Sequence, residues 1–256
     1  MNKNLVAVCA HADDAELNAG GIIAKWAAEG GSVRIIMATN NCSGYLIPES
    51  GIESEKIRLP PAATAEVRRR EQAAAAAMVG ADVVELGYWQ RHYWYDGKVM
   101  DVGYEATSGY PDGLSRELCI LIAANEQKDI KRMADLLVES RPSMVLTQAP
   151  FDIDPEHHAV CTLVWQAMAD ERLNGVPLRF WSPSSGSAGG FFDPNYDHIE
   201  DITDYFDTKV ELCECHASQM TAKRREIVRK RAAYWGAKIG CKYAEPFRSA
   251  HWDKLY

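Results

Sequence analysis

The sequence predicts an α/β fold in which a mostly parallel sheet is flanked by helices, an arrangement called Rossmann-like. A short run of small and β-branched residues at 5–10 is typical of a buried parallel strand. Residues 15–29 then place apolar side chains at helical spacing, and Gly30 precedes a second strand at 33–39. Strand, helix and strand in this order favour a right-handed crossover between parallel strands. Such sheets bind ligands at the carboxyl ends of their strands.

The later segments continue the alternation of helices and strands. After an irregular loop at 41–63, the sequence predicts helices at 64–79, 129–140, 158–170 and within 208–240, and strands at 82–86 and 143–148. No repeat or domain boundary interrupts this series, so residues 1–256 are expected to form a single domain. Its one unusual part is an aromatic and glycine-rich insertion at about 88–113, which is typical of a structured surface loop or a small β excursion.

The composition is that of a globular protein without a general nucleic-acid-binding face. Hydrophobic residues make up 47% of the 256 residues and charged residues 25%, which are ordinary values for a compact domain. The 36 acidic side chains outnumber the 28 basic ones, which gives a formal net charge of -8. Because binding to a phosphate backbone depends on basic surface, the sequence predicts a small-molecule partner and no nucleic acid.

Cysteine usage and the N-terminal segment predict a cytoplasmic protein with no membrane partner. The seven cysteines are scattered, include no C-x-x-C pair and are odd in number, which favours reduced thiols over a disulfide framework. The apolar run at 5–10 is far too short for a signal-peptide core or a membrane span.

Two polar clusters that follow two different strands carry the candidate chemistry. His11, Asp13 and Asp14 come directly after the first strand, and a second cluster at 154–158 follows the strand at 143–148. Both strands should open on the same edge of the sheet. Hydrolytic zinc sites commonly use three His, Asp or Glu ligands and leave a position for water. The two clusters together therefore predict a zinc site.

Each residue of the clusters has an expected role. His11 and Asp14, three apart on one loop, are the expected local zinc ligands. His157 is the expected third ligand, and His158 is the alternative, although it should face the following helix. Asp13 lies between the two local ligands and is suited to accept a proton from the zinc-bound water.

Five segments, in order, resemble the PIG-L/LmbE deacetylase family. AHADDAELNAGG is similar to the family's opening motif AHPDDE followed by GG, and PFDIDPEHHAV is similar to its later HPDH motif. The segments RRREQAAAAAMVGADVVELG, KVELCECHASQ and YWGAKIGCKYAEPF resemble the family's Arg-x-x-Glu helix and its C-terminal region. The resemblance runs from about residue 5 to about residue 248, apart from the insertion after Gly87.

The resemblance implies a zinc-dependent deacetylase with an LmbE-like fold. It implies that Zn2+ is bound by His11, Asp14 and His157. It also implies that Asp13 is the general base and that Arg68 holds the substrate. The implied reaction hydrolyses an N-acetyl group of an amino sugar, commonly of the N-acetylglucosamine type, or of a related conjugate. Related proteins are often trimers or hexamers, so a homo-oligomer is expected.

Two departures from the family motif concern the proton donor. HPDH becomes DPEH here, so Asp154 stands where a histidine normally stabilises the oxyanion or protonates the leaving group. Gln90 falls where the family often has an aspartate that supports this histidine. Asp154 is therefore a candidate catalytic residue and Gln90 a candidate substrate-binding residue. The donor role would otherwise pass to another histidine, and the candidates are His92, His158, His216 and His251.

These departures leave three functions open. The first is the zinc-dependent deacetylase. The second is a zinc-dependent hydratase or lyase acting on a carboxylated small molecule, which suits a site without the usual histidine. The third is a catalytically degraded homologue that still binds sugars. The Trp and Tyr side chains at 88–95 offer a stacking face for a sugar, or they pack at a subunit interface.

Overall fold

The described part of the chain forms a seven-stranded sheet and a two-stranded hairpin. The computed structural model describes residues 3–48, 50, 52–95, 98–101, 119–182 and 196–250. The strands of the sheet are β1 (Asn4–Cys9), β2 (Ser32–Thr39), β3 (Asp82–Tyr88), β6 (Met144–Thr147), β7 (Leu178–Trp181), β8 (His198–Asp201) and β9 (Ala244–Ser249). The hairpin consists of β4 (His92–Tyr95) and β5 (Lys98–Asp101).

The order of strands in the sheet is β3-β2-β1-β6-β7-β9-β8. The first five are parallel, whereas β9 runs antiparallel between β7 and β8. This arrangement confirms the predicted α/β fold with a mostly parallel sheet. The strands β7, β8 and β9 are additions to what the sequence predicts.

Helices cover both faces of the sheet. They are α1 (Asp14–Ala28), α2 (Pro61–Val79), α3 (Ile120–Ala123), α4 (Gln127–Ser140), α5 (Pro155–Ala167), α6 (Phe206–Glu214) and α7 (Ala222–Ile239). Along β1, Leu5 and Ala7 pack on the side of α1, whereas Val6 and Val8 pack on the side of α4 and α5. Successive side chains of a strand point to opposite faces, so a strand buried on both sides needs the continuous apolar run seen at 5–10.

Some element boundaries differ from the sequence prediction where they bear on the site. The helix α5 begins at Pro155, before the predicted start at 158, so His157 lies in the first turn of a helix. The helical region predicted within 208–240 is two helices, separated by a 3-10 turn at Ala217–Gln219. The hairpin of β4 and β5 lies within the insertion at 88–113, of which residues 96–97 and 102–113 are outside the described ranges.

Among the helices of the described ranges, none combines the length and the apolar character that crossing a membrane requires. All seven cysteines are described, and each is a free thiol. Burial raises the pKa of Cys42, Cys161 and Cys213 to about 12, so these thiols stay protonated and unreactive near neutral pH.

A buried ion pair ties α1 to α6 and β9. Lys209 Nζ lies 2.5 Å from Glu245 Oε1, and each side chain is only 3% exposed. Glu245 also accepts hydrogen bonds from the backbone N–H groups of Gly21 (2.8 Å) and Ile22 (2.9 Å). Lys209 donates to the carbonyl of Leu17 (2.9 Å). The pair therefore has the additional hydrogen bonds without which buried charges are too costly.

Two adjacent glycines in α1 allow the neighbouring segments to approach this closely. A Cβ at Gly20 would lie 3.1 Å from Lys209 Cγ, and one at Gly21 would lie 2.5 Å from Ile202 Cδ1. Any side chain at position 21 would displace Ile202, which is fully buried. The paired glycines thus fix the placement of α1, whose first residue is Asp14.

Replacing Lys209 with methionine should destabilise the fold by about 3–5 kcal/mol, because Glu245 would remain buried as an uncompensated charge. Urea unfolding followed by far-UV circular dichroism measures this change. Lys131→Met is the matched control, since Lys131 pairs with Asp135 on an exposed surface and should contribute less than about 1 kcal/mol. Equal effects of the two substitutions would contradict the role given to the buried pair.

Candidate metal centre and active site

The loop between β1 and α1 presents His11, Asp13 and Asp14 at the carboxyl edge of the sheet. The His11 backbone N–H donates to Asp14 Oδ2 (2.8 Å), and the Ala12 N–H donates to Asn41 Oδ1 (2.8 Å) just after β2. Asp13 adopts φ 99° and ψ -28°, a region that residues other than glycine rarely occupy. Such strain persists only where the surrounding contacts impose it, and it is common at functional sites.

The second cluster reaches the same point from β6 and α5. Because β1 and β6 are adjacent and parallel, their carboxyl ends lie side by side. His157 Nε2 lies 3.2 Å from His11 Nδ1 and 3.4 Å from Asp14 Oδ1, and Gln148, which follows β6, donates to Asp14 Oδ2 (2.7 Å). Each of the three predicted ligands offers one donor atom within 4.8 Å of the other two. The structure thus brings together the residues that the sequence assigns to zinc.

Carboxylates behind the two imidazoles orient them towards this point. His157 Nδ1 lies 2.9 Å from Asp152 Oδ2, and His11 Nε2 lies 2.5 Å from Glu156 Oε2. Since a carboxylate accepts hydrogen bonds, each favours the tautomer that carries its proton on the outer nitrogen. In the neutral tautomers, the inner nitrogens, His11 Nδ1 and His157 Nε2, present lone pairs beside Asp14 that can bind a metal ion. These residues form a donor set and supporting carboxylates that fit a divalent metal ion.

The pKa values reflect the concentration of negative charge around the imidazoles. Burial lowers the pKa of His157, but the charge of Asp14 and hydrogen bonds to Asp14 and Asp152 outweigh it and raise the pKa to about 11. Burial also opposes the charge of His11, whereas hydrogen bonds to Asp14 and Glu156 raise its pKa to about 9. Burial disfavours the charge of Glu156, but pairing with His11 lowers its pKa to about 2. Three carboxylates around two imidazoles therefore favour a bound cation.

Gln90 holds one of these carboxylates in place. Its Nε2 donates to Glu156 Oε2 (3.1 Å), its Oε1 accepts from the Ser43 N–H (2.7 Å), and the Arg91 N–H donates to Glu156 Oε1 (2.5 Å). Gln90 is only 3% exposed and does not line the cavity above the site. The geometry therefore does not support the predicted substrate contact of Gln90, because its amide already bonds to protein groups and positions Glu156.

Asp13 is held between two arginines from different helices. Arg68 of α2 places Nη2 3.2 Å from Asp13 Oδ1, and Arg224 of α7 places Nη1 3.0 Å from Asp13 Oδ2. Arg68 also donates to the carbonyl of Ala12. Thr221 caps α7 by accepting from the Arg224 N–H (3.0 Å), which fixes the start of that helix. The motifs do not reveal Arg224, whose only sequence signal is a run of basic residues along one helix.

A cavity of about 470 Å³ opens over these groups. Its lining includes the following residues that the sequence analysis singled out: His11, Asp13, Asp14, Arg68, Asp154 and His157. Asp154 is half-buried, and its Oδ1 accepts a hydrogen bond from the Glu156 N–H (2.8 Å), which caps α5. Asp154 therefore combines a structural role at the start of a helix with a place in the cavity wall.

Of the other candidate histidines, His158 and His216 do not line the cavity. His158 is exposed on α5, and His216 is fully buried with its Nε2 3.2 Å from Glu16 Oε2. The side chain of His92 and the whole of His251 lie outside the described residues. Among the lining residues that the structure describes, the only histidines are the two expected metal ligands, and the cations are arginines and lysines.

Comparisons with known proteins agree with this geometry. The profile of the PIG-L family, described as GlcNAc-PI de-N-acetylase, matches residues 6–168, which is more than half of the chain. The chain is 25% identical over 245 residues to the 1D-myo-inositol 2-acetamido-2-deoxy-alpha-D-glucopyranoside deacetylase of Mycobacteroides abscessus, covering 86% of this chain and 82% of that protein. The chain therefore belongs to the PIG-L family.

Solved structures share the fold over nearly the whole chain. The N,N'-diacetylchitobiose deacetylase from Pyrococcus horikoshii has a TM-score of 0.67 at 20% identity, covering 97% of this chain and 84% of that one. The 4-carboxy-2-hydroxymuconate hydratase from Pseudomonas putida has a TM-score of 0.66 at 20% identity, covering 97% and 96%. The same fold thus occurs in proteins named as a deacetylase and as a hydratase, so the reaction must be argued from the site.

The purified protein should bind a single zinc ion, and His157→Ala should abolish that binding because it removes one of two converging imidazoles. Metal content after dialysis, measured by mass spectrometry, checks this. His158→Ala is the matched control, since it removes an exposed neighbour on the same helix and should leave zinc in place. Asp152→Asn should weaken zinc binding about 10–100-fold through the orientation of His157. Full zinc content in His157→Ala would show that the metal lies elsewhere.

Proposed function

We propose that this chain is a zinc-dependent hydrolase that removes an N-acetyl group from an amino sugar or a related conjugate. The observation that carries the proposal is the convergence of the His11, Asp14 and His157 donor atoms beside Asp13. Membership of the PIG-L family and relatives named as deacetylases of N-acetylated sugars support the reaction and the substrate class.

The donor set suits zinc. Two imidazole nitrogens and one carboxylate are ligands that Zn2+ takes in hydrolytic sites, which keep a position open. His11, Asp14 and His157 would hold the ion, with Glu156 and Asp152 fixing the two imidazoles. When bound, the ion would lower the pKa of a water molecule and polarise the acyl carbonyl.

Asp13 is suited to take the proton of the attacking water. Its carboxylate lines the cavity, and both oxygens are fixed by guanidinium groups. Each carboxylate oxygen has two lone pairs, so Asp13 can accept a proton while its contacts with Arg68 and Arg224 persist. These contacts place the base before the substrate arrives, which is the geometric requirement for general base catalysis.

The later steps need a group that stabilises the oxyanion and a group that protonates the amine. Arg68 and Arg224 line the cavity beside Asp13 and can donate to an oxygen that becomes negative. An arginine keeps its proton at neutral pH, so Arg68 and Arg224 are unsuited to protonate the leaving amine, whereas a carboxylic acid beside the metal site is suited to that step. Asp13, once protonated, and Asp154 are the cavity groups suited to that transfer.

Asp13→Asn should lower kcat for acetate release at least about 100-fold, because an amide cannot accept the proton of the attacking water. The assay is acetate release from N-acetylglucosamine and its conjugates by zinc-loaded protein. Asp207→Asn, at an exposed position of α6, is the control and should retain the parental rate. Parental rates in Asp13→Asn on every N-acetyl substrate would refute the proposed hydrolysis.

Asp154→Asn should lower kcat about 10–100-fold while the fold and the zinc content remain intact. Asparagine is as good an N-cap as aspartate, so this substitution removes the acid from the cavity without weakening α5. The rate, the zinc content and the thermal unfolding curve are measured together. An unchanged rate would exclude Asp154 from the reaction and leave Asp13 as the sole proton carrier.

A zinc-dependent hydratase or lyase acting on a carboxylated small molecule is the second candidate. It is favoured by Asp154, which stands where the family carries a histidine acid, and by the cationic groups of the cavity. Loss of ultraviolet absorbance from unsaturated carboxylic acids, with no acetate released from any N-acetyl substrate, would decide in its favour. Sugar binding with weak zinc affinity and no turnover would instead indicate the degraded homologue.

Two expectations accompany the proposal. The family resemblance favours a homo-oligomer, either a trimer or a hexamer. The seven free thiols favour a reducing compartment, in agreement with the predicted cytoplasmic location.

A further inference from the structure

One wall of the cavity carries an excess of positive charge. Lys223, Ile227 and Arg231 recur at helical spacing in α7 and line the cavity together. Lys56, from the segment before α2, lines the same cavity. We call the set Lys56, Lys223 and Arg231 the cationic wall.

The described carboxylates of the cavity form no ion pair with the two lysines of the cationic wall, Lys56 and Lys223. Asp13 already contacts two arginines, and Asp14 belongs to the candidate metal centre. The remaining lining carboxylate, Asp154, uses one oxygen to cap α5. Over the described residues, neither Lys56 nor Lys223 forms an ion pair with a carboxylate.

Two basic residues on the outer faces of α7 have acidic partners. Arg225 pairs with Glu214 (2.6 Å), and Lys230 pairs with Glu226 (2.6 Å). The formal net charge of the chain is -8, so a general excess of basic residues does not explain the lysines that line the cavity. A wall that carries an excess of one sign of charge attracts ligands of the opposite sign.

The surroundings of Arg231 favour its contact with an anion over its hydration by bulk water. It is half-buried and donates to Asn18 Oδ1 (2.6 Å). Burial lowers the pKa of Arg231, yet a guanidinium stays charged at neutral pH because its intrinsic pKa is so high. A cation with reduced hydration attracts an oxyanion more strongly than a fully hydrated one does. Leu17, Ile227 and Val228 add apolar surface that a sugar ring can cover.

We propose that the cationic wall binds an anionic substituent of the substrate, a carboxylate or a phosphate, while the N-acyl end of the substrate lies at the metal centre. This inference rests on the proposed function for the acyl end and deepens it, because it makes the substrate an acidic N-acyl amino sugar or conjugate. A cavity of about 470 Å³ has room for a sugar with one such substituent.

Binding of deacetylated sugars tests the inference without turnover. Isothermal titration calorimetry on zinc-loaded protein compares glucosamine with glucosamine 6-phosphate, which carries a phosphate, and with muramic acid, which carries a carboxylate. At least one acidic sugar should bind about tenfold more tightly than glucosamine, and the preference should shrink as salt is added. The acidic sugar that binds more tightly identifies the anion.

Lys223→Met should reduce this preference about fivefold, because it removes one charge of the cationic wall and keeps the length of the side chain. Lys230→Met is the matched control on the same helix, paired with Glu226 outside the cavity, and should change the preference by less than about twofold. Lys56→Met tests the wall independently from another segment of the chain and should act in the same direction as Lys223→Met.

Equal affinity for the three sugars would overturn the inference. A preference that neither Lys223→Met nor Lys56→Met reduces would also overturn it, because the anion would then bind elsewhere, including at zinc. Acetate release together with equal affinities would leave the proposed function standing and refute the anion site alone. Preference for an acidic sugar that depends on Lys223, without acetate release from any N-acetyl sugar, would refute the hydrolysis and retain the anion site.

Discussion

The close approach of the His11 and His157 imidazoles is the constraint on which the rest of the site depends. Nitrogen lone pairs 3.2 Å apart repel each other unless a proton or a metal ion lies between them. The two loops cannot relax apart, because the pairing of β1 with β6 fixes their starting points and Asp152 and Glu156 hold the rings from behind. A site that gathers carboxylates around two imidazoles in this way favours positive charge, either as protons on the rings or as a bound metal ion.

Packing far from the imidazoles determines the position of Asp13 and of the first turn of α1. The ion pair of Lys209 with Glu245 and the close contact of Gly21 with Ile202 lock the middle of α1 against its neighbours. The first turn of that helix, and the strained residue Asp13 before it, follow from this placement. The unfavourable backbone conformation of Asp13 thus depends on a buried network that appears in the sequence only as scattered charged and small residues.

The elements that local sequence patterns define can be predicted from the sequence. The elements that depend on contacts between distant residues cannot. The alternation of apolar strand and helix predicts β1, α1 and β2, and the motif clusters predict the three residues whose donor atoms converge in the structure. The start of α5 was placed too late, although Asp154 followed by Pro155 is a regular N-cap and first-turn pair. The strand β9, which lies between β7 and β8, contains Pro246 and charged residues, and these residue types argue against a strand in a sequence-based prediction. Arg224 contacts a residue 211 positions away, and no local pattern encodes such a contact.

Distant contacts also bring together the residues that we propose to select the substrate. In the proposed function, the motif loops supply the metal ligands and the base, which a hydrolase and a hydratase can share on one fold. Where the family carries a titratable histidine, this chain has Asp154, and its other polar lining groups near the base are arginines that keep their charge. Fixed cations cannot deliver protons, but they orient and stabilise negative charge. In the proposed reaction, Lys223 and Arg231 of α7 would therefore select the substrate, and the carboxylates of the cavity would transfer the protons.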